Sequence, residues 1–129
     1  MSRYVGFSKM GFTLSGRNAL YLYGLTSLDD SVVFIESNST GGMLRGVCVV
    51  PESENPKNVR GFKCASLEKA MIDFMKYPYD DSGVIEASEM LDEQEIMRVV
   101  AYAKNTNNTH LLNDFRWAEF FEAYLLLLT

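Results

Sequence analysis

The stretch SLEKAMIDFMKYP, residues 66 to 78, sets Glu68, Lys69 and Asp73 close together in the chain. Two carboxylates and an amine are a residue set for acid–base or hydrolytic chemistry, provided that they converge on one reacting atom. The stretch reads as a helix, and successive helical residues turn by about 100°. Glu68 and Asp73 then point roughly 140° apart, which argues against a shared substrate. Leu67, Ala70, Met71, Phe74 and Met75 fall on one broad side, with Ile72 at its edge. Lys69, Asp73 and Lys76 fall on the other. Lys69 and Asp73 are four apart, so they are expected as a solvated pair contributing a few tenths of a kcal/mol. Glu68 projects beside the apolar arc, where a carboxylate needs a partner or a raised pKa. Its place in the first helical turn, facing unpaired amides, is the expected source of stabilisation. A partner-facing or catalytic Glu68 is the rival reading.

The remaining chemistry is sparse. His110 is the single histidine and follows an Asn-Asn-Thr loop. It is expected at a helix start or on the surface rather than as a base, and no second ligand stands at zinc spacing. Cys48 and Cys64 are the only cysteines. They are read as two small buried thiols rather than a disulfide. No G-x-S-x-G occurs, and the glycines of STGGMLRG fit neither a P-loop nor a dinucleotide fingerprint. The carboxylates of YDDSG and LDEQE precede predicted helices, where acids serve as caps. No catalytic, cofactor-binding or metal-ligating residue is assigned.

The 129 residues fit one domain, residues 1–129, with a net charge of −5 and a pI near 4.8. An acidic total disfavours non-specific binding to nucleic acid, though it leaves room for a local basic patch. The N-terminus lacks the apolar run of a signal peptide, and AYLLLLT is too short to span a bilayer. A cytoplasmic protein without membrane contact is expected.

The elements that must position these residues are strands early and helices late. Residues 1 to 14 alternate weakly around Gly6 and Gly11, as in a poor edge strand or arm. Ser15 is expected to cap a short helix ending at Gly24. SVVFIES (31–37) and LRGVCVV (44–50) read as strands, joined as a hairpin through NSTGG. VRGFKCA (59–65) reads as a third strand. Helices are predicted near 67–76, 83–91, 93–104 and 111–127, with Asp92 and Glu95 as a capping box for the third. The expected fold class is α+β: a small antiparallel sheet in the N-terminal half, packed by about four C-terminal helices. In the last helix Trp117, Phe121, Tyr124, Leu125 and Leu128 form one stripe, and Leu111, Phe115 and Ala118 a second. A helix so apolar is either deeply packed or shared with a partner through Trp117 and Phe121.

Two stretches carry a family likeness. ALYLYGLTS (19–27), preceded by FTLSGRN, resembles the start of the main domain in AbiEi-type antitoxins, the regulatory partners of viral-defence toxin–antitoxin pairs. CASLEKAMIDFMKYPYDDSGVIEASEML (64–91) resembles the second signature of that family: a Ser-x-Glu-basic helix, an Asp five residues after the Glu, then a proline and an acidic, Gly-containing turn. The resemblance spans about residues 12 to 104. Arg17, Tyr23, Glu68 and Asp73 sit at family-typical positions, which implies roles in packing helices or presenting a regulatory surface. It implies no catalysis, because the partner toxin, a nucleotidyltransferase, does the chemistry. Two departures stand out. Such antitoxins usually begin with a winged-helix DNA-binding domain, and only about a dozen residues precede the matching region. The acidic total also departs from the usual basic surface, so direct DNA binding is not expected.

Three functions follow as expectations. The first is a non-enzymatic, antitoxin-like regulatory domain with a nucleotidyltransferase-toxin or other protein partner. The second is an interaction or homodimerisation module using the apolar final helix. The third is a small hydrolase or nuclease built on Glu68 and Asp73. Arg17, Tyr23, Glu68, Asp73, Trp117 and Phe121 are the candidate partner-binding residues.

Overall fold

The computed structural model of the protein describes residues 2–39, 41–77, 81–114 and 116–127. Phe115 and Leu128 of the apolar stripes, and Pro78, Tyr79 and Asp80 of the acidic turn, lie outside the described residues. The order is α1 (Arg3–Lys9), α2 (Gly16–Leu22), β1 (Val33–Glu36), β2 (Gly42–Leu44), β3 (Val47–Val50), β4 (Lys57–Val59), β5 (Phe62–Cys64), α3 (Leu67–Lys76), α4 (Asp81–Met90), α5 (Glu93–Asn105), α6 (Thr109–Leu112) and α7 (Ala118–Leu127). The fold is α+β, as expected.

Two Arg–Gly pairs bend the middle of the chain. Arg45 and Gly46 have φ of 52° and 75°, and Arg60 and Gly61 have 54° and 89°. Positive φ at both central residues defines the two-residue turn whose twist matches a right-handed hairpin. The first turn pairs Leu44 with Val47, and the second pairs Val59 with Phe62. The strands expected over 44–50 and 59–65 are therefore each interrupted by a turn. The expected hairpin between 31–37 and 44–50 is corrected as well. β2 is the antiparallel partner of β3, and β1 runs parallel to β3, Val33 against Val47 through Glu36 against Val50.

Leu14 joins the two ladders. Its amide donates to the Lys63 carbonyl at 2.9 Å, and its carbonyl accepts from Ala65 at 2.8 Å. Alongside it, the Ser15 amide donates to Phe34 and the Glu36 amide to Thr13. Only this short segment of the first fourteen residues is strand-like. The part before it is α1, which buries Tyr4 against Phe62 with ring centroids 5.4 Å apart.

α3 begins where Ser66 Oγ accepts the Lys69 amide at 3.2 Å. α2 lies against one side of it and α5 against another, with α4 and α6 also in contact. Residues 69 to 75 are consequently all buried. At Lys69 and Asp73 the polar side of α3 is therefore an internal surface, not a solvated one, while Lys76 at its end stays exposed. The capping box of α5 is formed as expected, with Asp92 Oδ1 accepting from Glu95 N at 2.8 Å and Glu95 Oε1 from Asp92 N at 2.9 Å.

The single helix expected over 111–127 is two. Asp114 and Arg116 break it: Arg116 donates to Asp114 at 2.7 Å and to Asp81 of α4 at 2.7 Å, and its guanidinium lies 4.4 Å over the Trp117 ring. The Trp117 indole N–H donates to the Leu111 carbonyl. Among the described residues no helix is long and apolar enough to cross a membrane.

Candidate functional site

Lys69 lies at the centre of a buried polar network. Its Nζ donates to Asp73 Oδ2 at 2.6 Å and sits 3.0 Å from Glu36 Oε2, and all three side chains are 6% exposed or less. Ser15 Oγ donates to the same Asp73 oxygen at 2.7 Å. Glu36 receives the Ser53 amide at 2.8 Å through Oε1, and the Ser53 hydroxyl donates to its Oε2. Four segments are thus linked around one ammonium, the end of β1 and α3 directly and the entry to α2 and the 51–56 connection through the two carboxylates. The solvated Lys69–Asp73 pair expected from helical spacing is overturned. Nor do the two stand alone, because Glu36 is carried in from another element.

Burial raises the Asp73 pKa above the ordinary carboxylate range, while Lys69 and the Ser15 hydrogen bond pull it back. An ammonium between two carboxylates gains Coulomb energy that offsets desolvation only if every member keeps its partners. Here Lys69 Nζ, Asp73 Oδ2 and both Glu36 oxygens have partners within the network. Two polar hollows flank it. One, of about 250 Å³, touches Thr13, Glu36, Ser53 and Lys63. The other, of about 500 Å³, touches Ser53, Glu68, Lys69 and Tyr102. Lys69 reaches the wall of the second with only 4% of its surface exposed. The Tyr102 hydroxyl there is pushed up to about 12, by burial first and then by the charges of Asp73, Glu36 and Glu68.

The other nominated residues fall apart from this centre. Glu68 stands in the first turn of α3, as read from the sequence. It is part-exposed and accepts from Arg98 of α5 at 3.3 Å. It shares no partner with Asp73, in keeping with their helical divergence. Arg17 is buried; its Nε donates to the Ser27 carbonyl at 3.1 Å and its Nη2 to Ser27 Oγ at 3.0 Å. Glu86 of α4 holds the same turn, accepting from Thr26 Oγ1 at 2.6 Å and the Ser27 amide at 2.7 Å. The Thr26 hydrogen bond is the main reason the Glu86 pKa is lowered. Tyr23 Oη donates to the Ala65 carbonyl at 2.9 Å, and burial pushes that hydroxyl up to about 12.

Trp117 and Phe121 are both fully buried. Of the two expectations for this helix they meet deep packing, not a partner contact, because α7 turns its aromatic face onto α5 and α6. His110 is exposed on α6. Cys48 and Cys64 are free and buried, and burial pushes both thiols up to about 12. Such thiols are poor nucleophiles at neutral pH. Among the described residues no group of three or more His, Cys, Asp or Glu side chains is placed to hold a metal ion.

Sequence reasoning missed Glu36 and Ser53, and it read Ser15 as a helix cap, whereas the Ser15 hydroxyl makes no cap hydrogen bond and goes to Asp73 instead. One signal was available. In VVFIE a carboxylate ends an otherwise wholly apolar strand, and a residue two after Phe34 shares its face. A buried carboxylate demands a cation, and Lys69 was the cation on offer.

No protein-family profile, curated protein or solved structure matches the chain.

Proposed function

We propose that the chain is a non-enzymatic regulatory domain, similar to the main domain of AbiEi-type antitoxins. The observation that carries this reading is how the two family-like stretches meet. Residues 15–27 and 64–86 are far apart in sequence and are joined by four side-chain hydrogen bonds: Ser15 to Asp73, Tyr23 to Ala65, and both Thr26 and Ser27 to Glu86. The motif residues hold one another, which is the pattern of a signature kept for architecture. The convergent charges support the same reading. Lys69 is paired with both Glu36 and Asp73 out of solvent, so the network has the character of a clamp. A reaction centre keeps a nucleophile or base pointed into open space.

The hydrolase reading built on Glu68 and Asp73 lacks a shared site, as their separate partners indicate. The dimer reading loses its two anchors to the core.

The direct test is co-expression with a nucleotidyltransferase toxin encoded beside the gene. The intact chain is expected to restore growth, and Glu36→Gln/Lys69→Met/Asp73→Asn, if it stays folded, is expected to restore it equally. Failure of the intact chain to relieve toxicity would count against the regulatory reading. Restoration lost only in a folded network variant would assign the network a chemical role.

A further inference from the structure

We propose that strand β4 and the groove beside it dock an extended, acidic segment of a partner protein, added as a further strand. β4 is a sheet edge: among the described residues it pairs with β5 alone. An open edge presents unpaired amides and carbonyls that a second chain can complete. Beside it lies a groove of about 450 Å³, lined by Tyr23, Lys57, Val59, Leu67, Glu68 and Arg98. Val59, Leu67 and the Tyr23 ring offer apolar contact, and the two cations offer charge.

The charge of this ribbon opposes that of the chain. Lys57, Arg60 and Lys63 are exposed, and residues 57 to 64 hold no acid. These three make no ion pair among the described residues. Arg98, whose side chain is 54% exposed and paired on one side with Glu68, adds a fourth cation across the groove. In a chain of net charge −5 this is a local inversion of sign, and it selects an anionic occupant. The same cations repel the β4 edge of a second copy, because like charges facing across strands are destabilising. Glu68 in the groove, and Glu52 and Glu54 lining the adjoining hollow, interrupt the positive surface. A polyphosphate backbone would run onto those carboxylates. A peptide strand bears its acids at alternate positions and makes its remaining bonds through neutral backbone, so it avoids them.

The test is a titration of the ¹⁵N-labelled protein with a blocked octapeptide alternating Glu with Val or Thr, beside the same peptide with Lys for Glu. The acidic peptide is expected to bind at least tenfold more tightly, with amide shifts confined to residues 57–64 and those around Arg98. Lys57→Glu and Arg98→Glu are each expected to weaken binding about tenfold, Lys57→Glu with unchanged melting temperature, and Glu122→Lys on α7 to leave binding unchanged. Absence of binding by the acidic peptide would overturn the proposal, as would equal binding of both peptides or insensitivity to Lys57→Glu and Arg98→Glu. Tighter binding of a duplex or single-stranded oligonucleotide at the same residues would overturn it too, by assigning the ribbon to phosphate.

Discussion

At the scale of single residues, Lys69 shows how far helical spacing alone reaches. The spacing of Lys69 and Asp73 correctly makes them a pair. It says nothing about what surrounds the pair, and Glu36 arrives from 33 positions upstream. Glu68 was legible in position only: it stands in the first turn of α3, but its ion-pair partner, Arg98, comes from α5. The cysteines were also legible as small buried thiols, and their consequence is testable. Cys48, Cys64, Tyr23 and Tyr102 are all pushed up to about 12. Ordinary thiols release their protons near 8.5 and ordinary tyrosines near 10. Between those values and about 12 the unfolded chain has lost protons that the folded chain keeps. Stability must therefore fall as pH rises through that window. Urea midpoints are expected to decline steadily above about pH 9, and both thiols to resist a disulfide reagent at pH 8 until the protein is unfolded. A flat profile to pH 11, or fast thiol labelling of the native protein, would contradict the burial of these groups.

Among the elements, those fixed by neighbouring residues were the readable ones. The Ser66 start of α3 and the Asp92–Glu95 box of α5 are local devices, and both stand where the sequence puts them. The Arg–Gly turns were missed because arginine is not a residue that favours positive φ; Asn and Asp are. That gives a prediction: Arg45→Asn and Arg60→Asn should each stabilise the protein by a few tenths of a kcal/mol, read as a higher urea midpoint. A lower midpoint for both would argue against these turns. Gly16 illustrates the opposite constraint. It opens α2 with φ of 51°, and a Cβ there would run into the Phe34 ring. Gly16→Ala is expected to cost more than the roughly 1–2 kcal/mol of a left-handed residue, since the clash adds to it. A neutral Gly16→Ala would contradict that packing. The split between α6 and α7 was not readable because it depends on Arg116 reaching Asp81 on another helix.

For the molecule as a whole, the α+β class followed from the switch of hydrophobic period after Ser66, while the sheet order did not. A parallel β1–β3 pair needs β2 to fold back first, and that step hangs on one two-residue turn. The central position of α3 was hidden for the same reason: its seven consecutive buried residues belong to a helix enclosed by neighbours that only the tertiary fold supplies. This placement converts the charged face of α3 from a surface into a joint between four segments. Asp114 acts at the periphery in the usual sense. Hydrogen bonds from Arg116 hold its carboxyl down to about 2, so its contribution is fully present above about pH 4 and is lost as pH falls from there through about 2.

The claim on which this account rests is that Glu36, Lys69 and Asp73 form a structural clamp. Urea unfolding of Lys69→Met beside the triple change Glu36→Gln/Lys69→Met/Asp73→Asn tests it most directly. The single change leaves two carboxylates buried without their cation, and it should lose about 3–5 kcal/mol. The triple change removes the charges together and should recover most of that loss. If Lys69→Met unfolds at the wild-type midpoint, the network is not what joins these segments, and the clamp reading fails.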